Sequence, residues 1–291
     1  MRFGKSQHIK FNAEIGAYSV VTPGENEDSQ ITATDEEANL LLSFFGKENI
    51  QVGNAKSNPE KAKKDFYLYP EGNKINLNLV FPKPGKTELR LYISARAGFK
   101  PDGDDIWFIF EQDNKLWIGA MSEPLWRSQN QVLVYDESEG NYQDSLQELD
   151  EIKFNKLKSH DVYSRDRKKA IQRMELSGYQ CEHDNSHNLF ISRSTKNPYL
   201  EAHHLIPMSL QKSTETPLDT LDNIFCLCPH CHRAIHLAEK TTTKAIIDNL
   251  IDKRPDVLNI LNNSISDIYN YYSVEDIENR RIGRTGTTKR K

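Results

Sequence analysis

Cysteine and histidine are concentrated in one short stretch of this 291-residue chain. All four cysteines and seven of the nine histidines lie between Cys181 and His236. Thiols and imidazoles that crowd together are typical of metal binding, because both donate electron pairs to transition metals. The stretch constrains the fold more than any other, and it predicts a small module organised around metal ions.

A C-x-x-C motif runs from Cys228 to Cys231, and this spacing lets two thiolates reach one tetrahedral Zn²⁺. A structural zinc has four ligands, and Cys181 is expected to supply a third from an upstream loop. Cys226 is expected to be a small buried core residue. A disulfide scaffold fits poorly, because the cysteines are confined to one module of a long chain that opens with no secretory segment.

The fourth zinc ligand is open at this point. The position three residues after Cys181, where a second C-x-x-C motif would have its second cysteine, is Asp184. We favour His187, because imidazole suits zinc better than a lone carboxylate does. Asp184 is the second choice and His183 the third.

Two adjacent histidines, His203 and His204, lie in an apolar run that predicts a β-strand. Neighbouring side chains on a strand point to opposite faces, so the two imidazoles are expected to have different roles. His232 and His236 are four residues apart, and on a short helix both imidazoles would share one side. We therefore predict a β-β-α unit in which His203, His232 and His236 converge on a second metal ion.

Several ordered motifs between residues 160 and 240 resemble the HNH (ββα-metal) nuclease family, in its zinc-containing restriction-endonuclease branch. In chain order they are 163–167, 178–182, 197–201, 203–207, 222–224 and 228–236. The resemblance implies a zinc-stabilised ββα-metal nuclease domain. The sequence departs from the family at Asp184, which stands in place of the second cysteine of the first zinc half-site.

The resemblance also implies roles for single residues. His203 would bind the catalytic metal, and His204 would be the general base that activates the attacking water. Asn223 would orient that base and its loop. His232 and His236 would complete the metal site or contact the scissile phosphate. The implied reaction is hydrolysis of a phosphodiester with one divalent ion, Mg²⁺ or Mn²⁺, and a neutral imidazole suits the role of base because its ordinary pKa is near ~6.5.

The N-terminal part has the pattern of a β-rich domain. Apolar residues alternate over 75–79 and 89–93, and a turn at Asp113-Asn114 separates two apolar runs. Several short strands with turns between them are typical of a barrel or a sandwich. The predicted fold class is therefore α+β, with a mainly-β, barrel-like N-terminal domain followed by the zinc-stabilised ββα-metal HNH nuclease domain.

Composition indicates the domain boundaries. We predict a β-rich domain over 1–130, an acidic linker over 131–158, the nuclease domain with C-terminal helices over 159–272, and a basic tail over 273–291. No run of the chain reaches transmembrane length, so no membrane partner is expected. Together with the missing secretory segment, this predicts a cytoplasmic protein with reduced thiols.

DNA recognition is expected to lie mainly outside the nuclease module, because a small ββα unit makes few base contacts. We predict that residues 1–130 read double-stranded DNA; base flipping, scaffolding and dimerisation are the alternatives for this domain. The net charge of −4 does not favour DNA binding by the whole surface, so local basic groups have to supply it. The candidate contacts are Arg90, Arg96, Lys100, Arg165 and Arg167.

The resemblance implies a metal-dependent DNA endonuclease of the restriction type, with specificity from the N-terminal domain. One alternative is a modification-dependent enzyme that cuts methylated DNA. A zinc protein that binds DNA without cutting it and a mobile-element nicking enzyme are two others. Cutting both strands with one active site per chain would favour a homodimer on DNA.

Overall fold

A computed structural model describes residues 1–130, 142–143, 146–147 and 165–277. The chain divides into two compact units, one formed by Met1–Asn130 with the chain from Asp276 onward, the other by Gln131–Glu275. Most of the predicted acidic linker and of the basic tail lies outside the described residues. Within the described part of the chain, no helix has the length and hydrophobicity needed to cross a membrane.

The first unit is built mainly from β-strands. Its strands are β1 Ile15–Val20, β2 Gln30–Thr32, β3 Gln51–Val52, β4 Lys63–Leu68, β5 Lys74–Phe81, β6 Arg90–Tyr92, β7 Asp105–Gln112 and β8 Lys115–Ser122. Its described helices are α1 Lys5–Phe11, α2 Pro23–Glu27, α3 Asp35–Phe45, α4 Pro59–Ala62 and α5 Glu123–Asn130, with single 3-10 turns at Lys47–Asn49, Ala55–Ser57 and Ala95–Ala97.

These strands form one mixed sheet in the order β1-β7-β8-β4-β5-β6-β2, and β3 pairs with β5 beside this path. The β4–β8 and β3–β5 pairs are parallel, whereas the other pairs are antiparallel. No pairing among the described residues joins β1 to β2, so the sheet is a curled half-barrel that stays open. The predicted α+β class with a mainly-β N-terminal domain is confirmed.

The β7–β8 hairpin forms the centre of this unit. Its turn residues Asp113 and Asn114 have φ values of 52° and 56°, the left-handed region that a tight hairpin turn requires. Alternate residues of β7 enter different cores, so that Trp107 packs with one apolar cluster and Phe108 with another on the opposite face. Because both faces are covered, the strand is a continuous apolar run.

The second unit contains the cysteine- and histidine-rich stretch. Its described elements are α6 Arg167–Leu176, β9 Glu201–His204, β10 Ile224–Leu227, α7 Pro229–Leu237, α8 Lys240–Lys253, α9 Asp256–Ile260 and α10 Ile265–Tyr271, with 3-10 turns over Met208–Ser213. The two strands pair antiparallel, with His204 opposite Ile224 and His203 opposite Phe225. On the edge of β9 away from β10, the side-chain amide of Gln143 binds the backbone of Ala202. It donates to the Ala202 carbonyl at 2.7 Å and accepts the Ala202 N–H at 2.9 Å.

Glu182 joins the loop after α6 to the strand before α7. Its Oε2 accepts the N–H of Cys226 at 2.6 Å, and its carboxylate also pairs with Arg173 and, at 3.3 Å, with Arg254. The Arg254 guanidinium lies 3.3 Å from the centre of the Phe225 ring. These contacts hold the loop that begins at Cys181 against β10.

The first unit contains a buried carboxyl that makes its stability depend on pH. Glu37 of α3 is fully buried, and burial raises its pKa to about 7, although hydrogen bonds with Ser19 and Thr34 oppose the shift. Because this pKa lies above the ordinary 4.5, folding favours the neutral carboxyl. The stabilisation is complete below the ordinary value and is lost as the pH rises through about 7.

We expect Glu37→Gln to raise the free energy of unfolding at about pH 8 by roughly 2–3 kcal/mol, because a neutral amide avoids the cost of a buried charge. Urea unfolding of the full chain between about pH 4 and 8 measures this. The control is Glu36→Gln on the same helix, where the carboxylate is partly exposed and lies 3.5 Å from Arg2. An unchanged pH dependence in the Glu37 variant would contradict the prediction.

Candidate metal centres

Three thiols and one imidazole meet at the start of α7. Their ligand atoms, from Cys181, His187, Cys228 and Cys231, all lie within 4.8 Å of one another. His187 Nδ1 lies 3.4 Å from the sulfur of Cys228 and 3.4 Å from that of Cys231. The thiols are buried and the imidazole is partly exposed. Three cysteines and one histidine match a closed, tetrahedral zinc set.

The other two residues considered for this set lie beside it. Asp184 Oδ2 is 3.5 Å from His187 Nε2, the ring nitrogen on the side away from the sulfurs. A carboxylate in that position orients an imidazole. His183 offers its backbone carbonyl to Lys253 at 3.0 Å. The structure therefore groups His187 with the three cysteines and places Asp184 behind it.

The sulfurs influence one another strongly. A hydrogen bond from Cys231 lowers the pKa of Cys181 to about 4, and the same contact raises the pKa of Cys231. One thiolate is thus favoured, whereas three close thiolates need a cation to offset their repulsion. Cys226 is separate: it is fully buried in the apolar core, where burial raises its pKa to about 12.

Three imidazoles converge between β9 and α7. Their ring centroids are 5.2 Å apart for His203 and His232, 5.0 Å for His203 and His236, and 5.0 Å for His232 and His236. Burial and the neighbouring imidazoles hold the pKa of His203 well below its usual value, and burial lowers the pKa of His236 to about 3. These two rings are neutral at pH 7, the form in which imidazole binds a metal.

Glu201 determines which nitrogen of His232 is protonated. Its Oε2 lies 2.7 Å from His232 Nδ1, so Nδ1 carries the proton and Nε2 has the lone pair. That Nε2 is buried and has no hydrogen-bond partner among the described residues. A buried polar atom left without a partner is costly. The orphaned nitrogen, inside a group of three imidazoles, fits a metal ion as its missing partner.

Tyr272, just after α10, determines the tautomer of His203 in a similar way. Its hydroxyl lies 2.8 Å from His203 Nε2 and 3.0 Å from the carbonyl oxygen of Leu205. A phenol has one proton and a carbonyl can only accept, so Tyr272 donates to Leu205 and accepts from Nε2–H of His203. Nδ1 is then the nitrogen of His203 that has a lone pair. No spacing in the sequence indicates this contact.

His204 faces the other side of β9, where Asp219 meets it. Its Nε2 lies 3.0 Å from Asp219 Oδ1. Asp219 also accepts the N–H of Asp166 at 2.8 Å and lies 3.4 Å from the ammonium of Lys169. Burial acts to raise the pKa of Asp219, but the contacts with His204, Asp166 and Lys169 together lower it. The carboxylate stays ionised, accepts Nε2–H of His204 and leaves Nδ1 to accept a proton.

Asn223 holds the loop between the two strands. Its fully buried side chain accepts the N–H of Ile206 at 2.8 Å and donates to the carbonyls of Ile206 and Leu218, each at 2.9 Å. The residue that contacts the His204 imidazole is Asp219, which the sequence analysis missed. An acid was visible in that loop, but nothing in the sequence distinguished Asp219 from Asp222.

The two basic residues predicted to contact DNA beside the module differ in exposure. Arg165 is only 8% exposed, and its guanidinium lies 5.1 Å from the centre of the Tyr142 ring. The structure does not favour Arg165 as a DNA contact, because its charge is packed inside the unit. Arg167 is partly exposed at the start of α6.

The candidate contacts of the first unit also differ. Arg90 pairs with Glu88 at 2.6 Å, so part of its charge is already compensated. Arg96 is exposed on the turn that the bridge between Ser94 and Phe99 closes, and Lys100 is exposed just after it, with its ammonium 3.1 Å from the hydroxyl of Ser29. A role of this turn in reading DNA remains a prediction.

The antiparallel pair β9–β10, helix α7 and the two clusters of metal-binding side chains define a ββα-metal nuclease module. Residues 181–237 match the family model described as HNH endonuclease. This segment is therefore an HNH endonuclease domain, and the resemblance stated from the sequence is confirmed.

A stretch of 54 residues is 44% identical to the Type IV methyl-directed restriction enzyme EcoKMcrA of Escherichia coli (strain K12). The match covers 19% of this chain and 17% of that enzyme. The similarity thus concerns a small part of both proteins.

We expect the full chain to bind one zinc at this set, and Cys228→Ala to bind none and to unfold the second unit, because the free energy of binding a structural zinc is part of the free energy of folding. Zinc content of the purified full chain and its thermal unfolding measure this. The control is Cys226→Ala, which removes a buried thiol outside the cluster and should keep one zinc per chain. A well-folded Cys228 variant without zinc would refute the prediction.

We expect Tyr272→Phe to release His203 from a single tautomer, because the phenol oxygen that accepts Nε2–H is removed. Long-range ¹H–¹⁵N correlation spectra of the metal-free full chain report which ring nitrogen is protonated. Titration with Co²⁺ should show roughly tenfold to hundredfold weaker binding at the imidazole cluster. The control is Tyr271→Phe, which removes a hydroxyl bound to Asn263 at 2.6 Å. An unchanged tautomer of His203 in the Tyr272→Phe variant would contradict the assignment of the Tyr272 oxygen as acceptor of Nε2–H.

Proposed function

We propose that this protein is a metal-dependent DNA endonuclease of the restriction type, with His204 as its general base. One observation carries the proposal. Within an HNH endonuclease domain, the pair of His204 and Asp219 lies on one face of β9, and three converging imidazoles lie on the other. The first arrangement suits proton transfer and the second suits a divalent ion.

We assign a structural zinc to the set formed by Cys181, His187, Cys228 and Cys231, and a divalent ion to the three imidazoles. Mg²⁺ is favoured by its availability, while three nitrogen ligands suit Mn²⁺ or another transition metal better. Such an ion would stabilise the negative charge that develops on the leaving oxygen. The orphaned Nε2 of His232 and the neutral state of His203 and His236 support this assignment.

In this proposal His204 takes a proton from the attacking water at Nδ1. Asp219 holds the opposite ring nitrogen, which keeps the imidazole in one tautomer and stabilises the imidazolium that forms. Asn223 acts indirectly, by fixing the loop that carries Leu218 and Asp219. The tautomer of His204 therefore depends on an ionised Asp219, whose pKa lies below its usual value.

A modification-dependent enzyme is the second candidate. The similarity to a methyl-directed restriction enzyme supports it, but the match spans only 17% of that relative. We propose that the first unit reads the DNA, with the exposed side chains of Arg96 and Lys100 as candidate contacts. A zinc protein that binds without cutting is disfavoured, since it would have no use for the His204–Asp219 pair.

One active site per chain cannot cut two strands at once, so we propose that two copies act together on the duplex. We place the protein in the cytoplasm, where thiols stay reduced, because a zinc bound by three cysteines requires them to be reduced.

The test is cleavage of methylated and unmethylated plasmid by the full chain, with Mg²⁺ or Mn²⁺. We expect His204→Ala to slow cutting by roughly 10²-fold or more, since general bases contribute that much. His230→Ala is the control, because His230 is exposed and belongs to neither cluster. Cutting of methylated plasmid alone would select the modification-dependent enzyme. Equal cutting by the His204 variant would remove His204 as base, and binding without cutting would overturn the nuclease.

A further inference from the structure

A short hairpin over residues 190–199 leads directly into β9. Ile191 and Pro198 form an antiparallel bridge, and the N–H of Tyr199 donates to the carbonyl of Phe190 at 2.8 Å. The N–H of Ser192 donates to the Asn197 carbonyl, also at 2.8 Å. These bonds give the 190–199 hairpin a defined shape, and its end is joined covalently to the strand that holds Glu201 and the two histidines.

The 190–199 hairpin exposes two large apolar side chains at consecutive positions of its first strand. Phe190 is 62% exposed and Ile191 is 60% exposed. The Phe190 ring stacks on Tyr199 with centroids 4.7 Å apart and planes 20° apart, so the aromatic pair is held in place. Phe190 also borders an open pocket of about 350 Å³, so the protein does not fill the space beside it. Adjacent exposed apolar groups on an ordered turn indicate a contact surface.

The formally charged residues of the segment 185–200 are of one sign. Residues 185–200 contain Arg193 and Lys196 but no aspartate or glutamate, although the whole chain has a net charge of −4. Both basic side chains are exposed. Serine, threonine and asparagine provide most of the other polar groups. Cations and neutral donors around an apolar tip complement a nucleic acid, which presents phosphates outside and base planes inside.

The hairpin also lies close to the proposed chemistry. The hydroxyl of Tyr199, on which Phe190 stacks, is 3.4 Å from Oε1 of Glu201. The other oxygen of Glu201 holds His232. A DNA segment that contacts the hairpin would therefore come within a few side chains of the imidazole cluster.

We propose that the 190–199 hairpin inserts Phe190 and Ile191 into the minor groove of duplex DNA beside the bond to be cut. Arg193 and Lys196 bind the flanking phosphates. Apolar wedges of this kind part a base step and kink the duplex. The contact needs no particular sequence and complements recognition by the first unit. This inference rests on the proposed nuclease function, because it takes DNA as the partner.

Binding and unwinding by the full chain test the inference. The binding probes are fluorescein-labelled random duplexes of about 30 base pairs, one pool CpG-methylated and one not, without added Mg²⁺ or Mn²⁺. We expect the double variant Phe190→Ala, Ile191→Ala to bind roughly tenfold more weakly, since loss of one stacking contact costs about that much. A plasmid relaxed by topoisomerase in the presence of protein should show a lowered linking number with wild type and not with the double variant.

The matched control is Leu176→Ala, which removes a side chain that is 62% exposed at the end of α6 in the same unit. It should bind and unwind DNA like wild type. The double variant Arg193→Gln, Lys196→Gln should reduce the slope of log affinity against log salt by roughly 2. This variant tests the hairpin contact independently if the apolar variant does not fold.

Three results would count against the inference in different ways. If wild type binds neither duplex pool, the proposed nuclease function fails, and the hairpin inference fails with it. If wild type binds and the apolar variant matches it in affinity and unwinding, the hairpin inference is overturned and the nuclease stands. If the apolar variant turns a dimer into a monomer without weakening DNA binding, the exposed pair is a self-association surface.

Discussion

The hydrogen bond between Glu201 and His232 is the contact on which the candidate active site depends. It joins the first residue of β9 to the middle of α7, at 2.7 Å and largely out of water. Charge-assisted bonds of this kind are worth about 1.5–3 kcal/mol. Beyond stability, the bond makes Nε2 of His232 a lone-pair donor and aims it at the other two imidazoles. Without it, the ring has no preferred tautomer and the cluster no defined third donor.

Helix α7 links the two metal centres through its own geometry. Cys228 caps the helix and Cys231 lies in its first turn, while His232 and His236 follow on the side that faces β9. A rigid helix of nine residues thus has thiols at its start and imidazoles along its length. Because the imidazoles lie on this helix, their position depends on how firmly the start of the helix is held. A zinc at the thiols would serve the reaction indirectly, by holding that end still.

Residue type and spacing predicted much of this site, because they act locally. Alternation on a strand separates His203 from His204, and a four-residue interval on a helix places His232 and His236 together. Asp219 and Tyr272 were out of reach for the opposite reason. One comes from an irregular loop and the other follows a distant helix, so only tertiary packing brings them to the imidazoles. Arg165 shows the same limit: its charge suggested a surface role, but its place over Tyr142 is a matter of packing. In the first unit, alternation indicated strands but not the parallel pairing of β4 with β8.

The antiparallel pairing of β9 with β10 has a consequence for how such a chain can change. Shifting one strand by a single residue would exchange the faces of His203 and His204, so His204 would enter the imidazole cluster and His203 would meet Asp219. Gln143 bonds to both backbone groups of Ala202 on the edge of β9 away from β10, and these bonds oppose that shift. Substitutions around the strand can therefore be absorbed one at a time. A one-residue insertion or deletion inside β9 cannot be absorbed in this way. The length of β9 should therefore be inherited more strictly than its other properties.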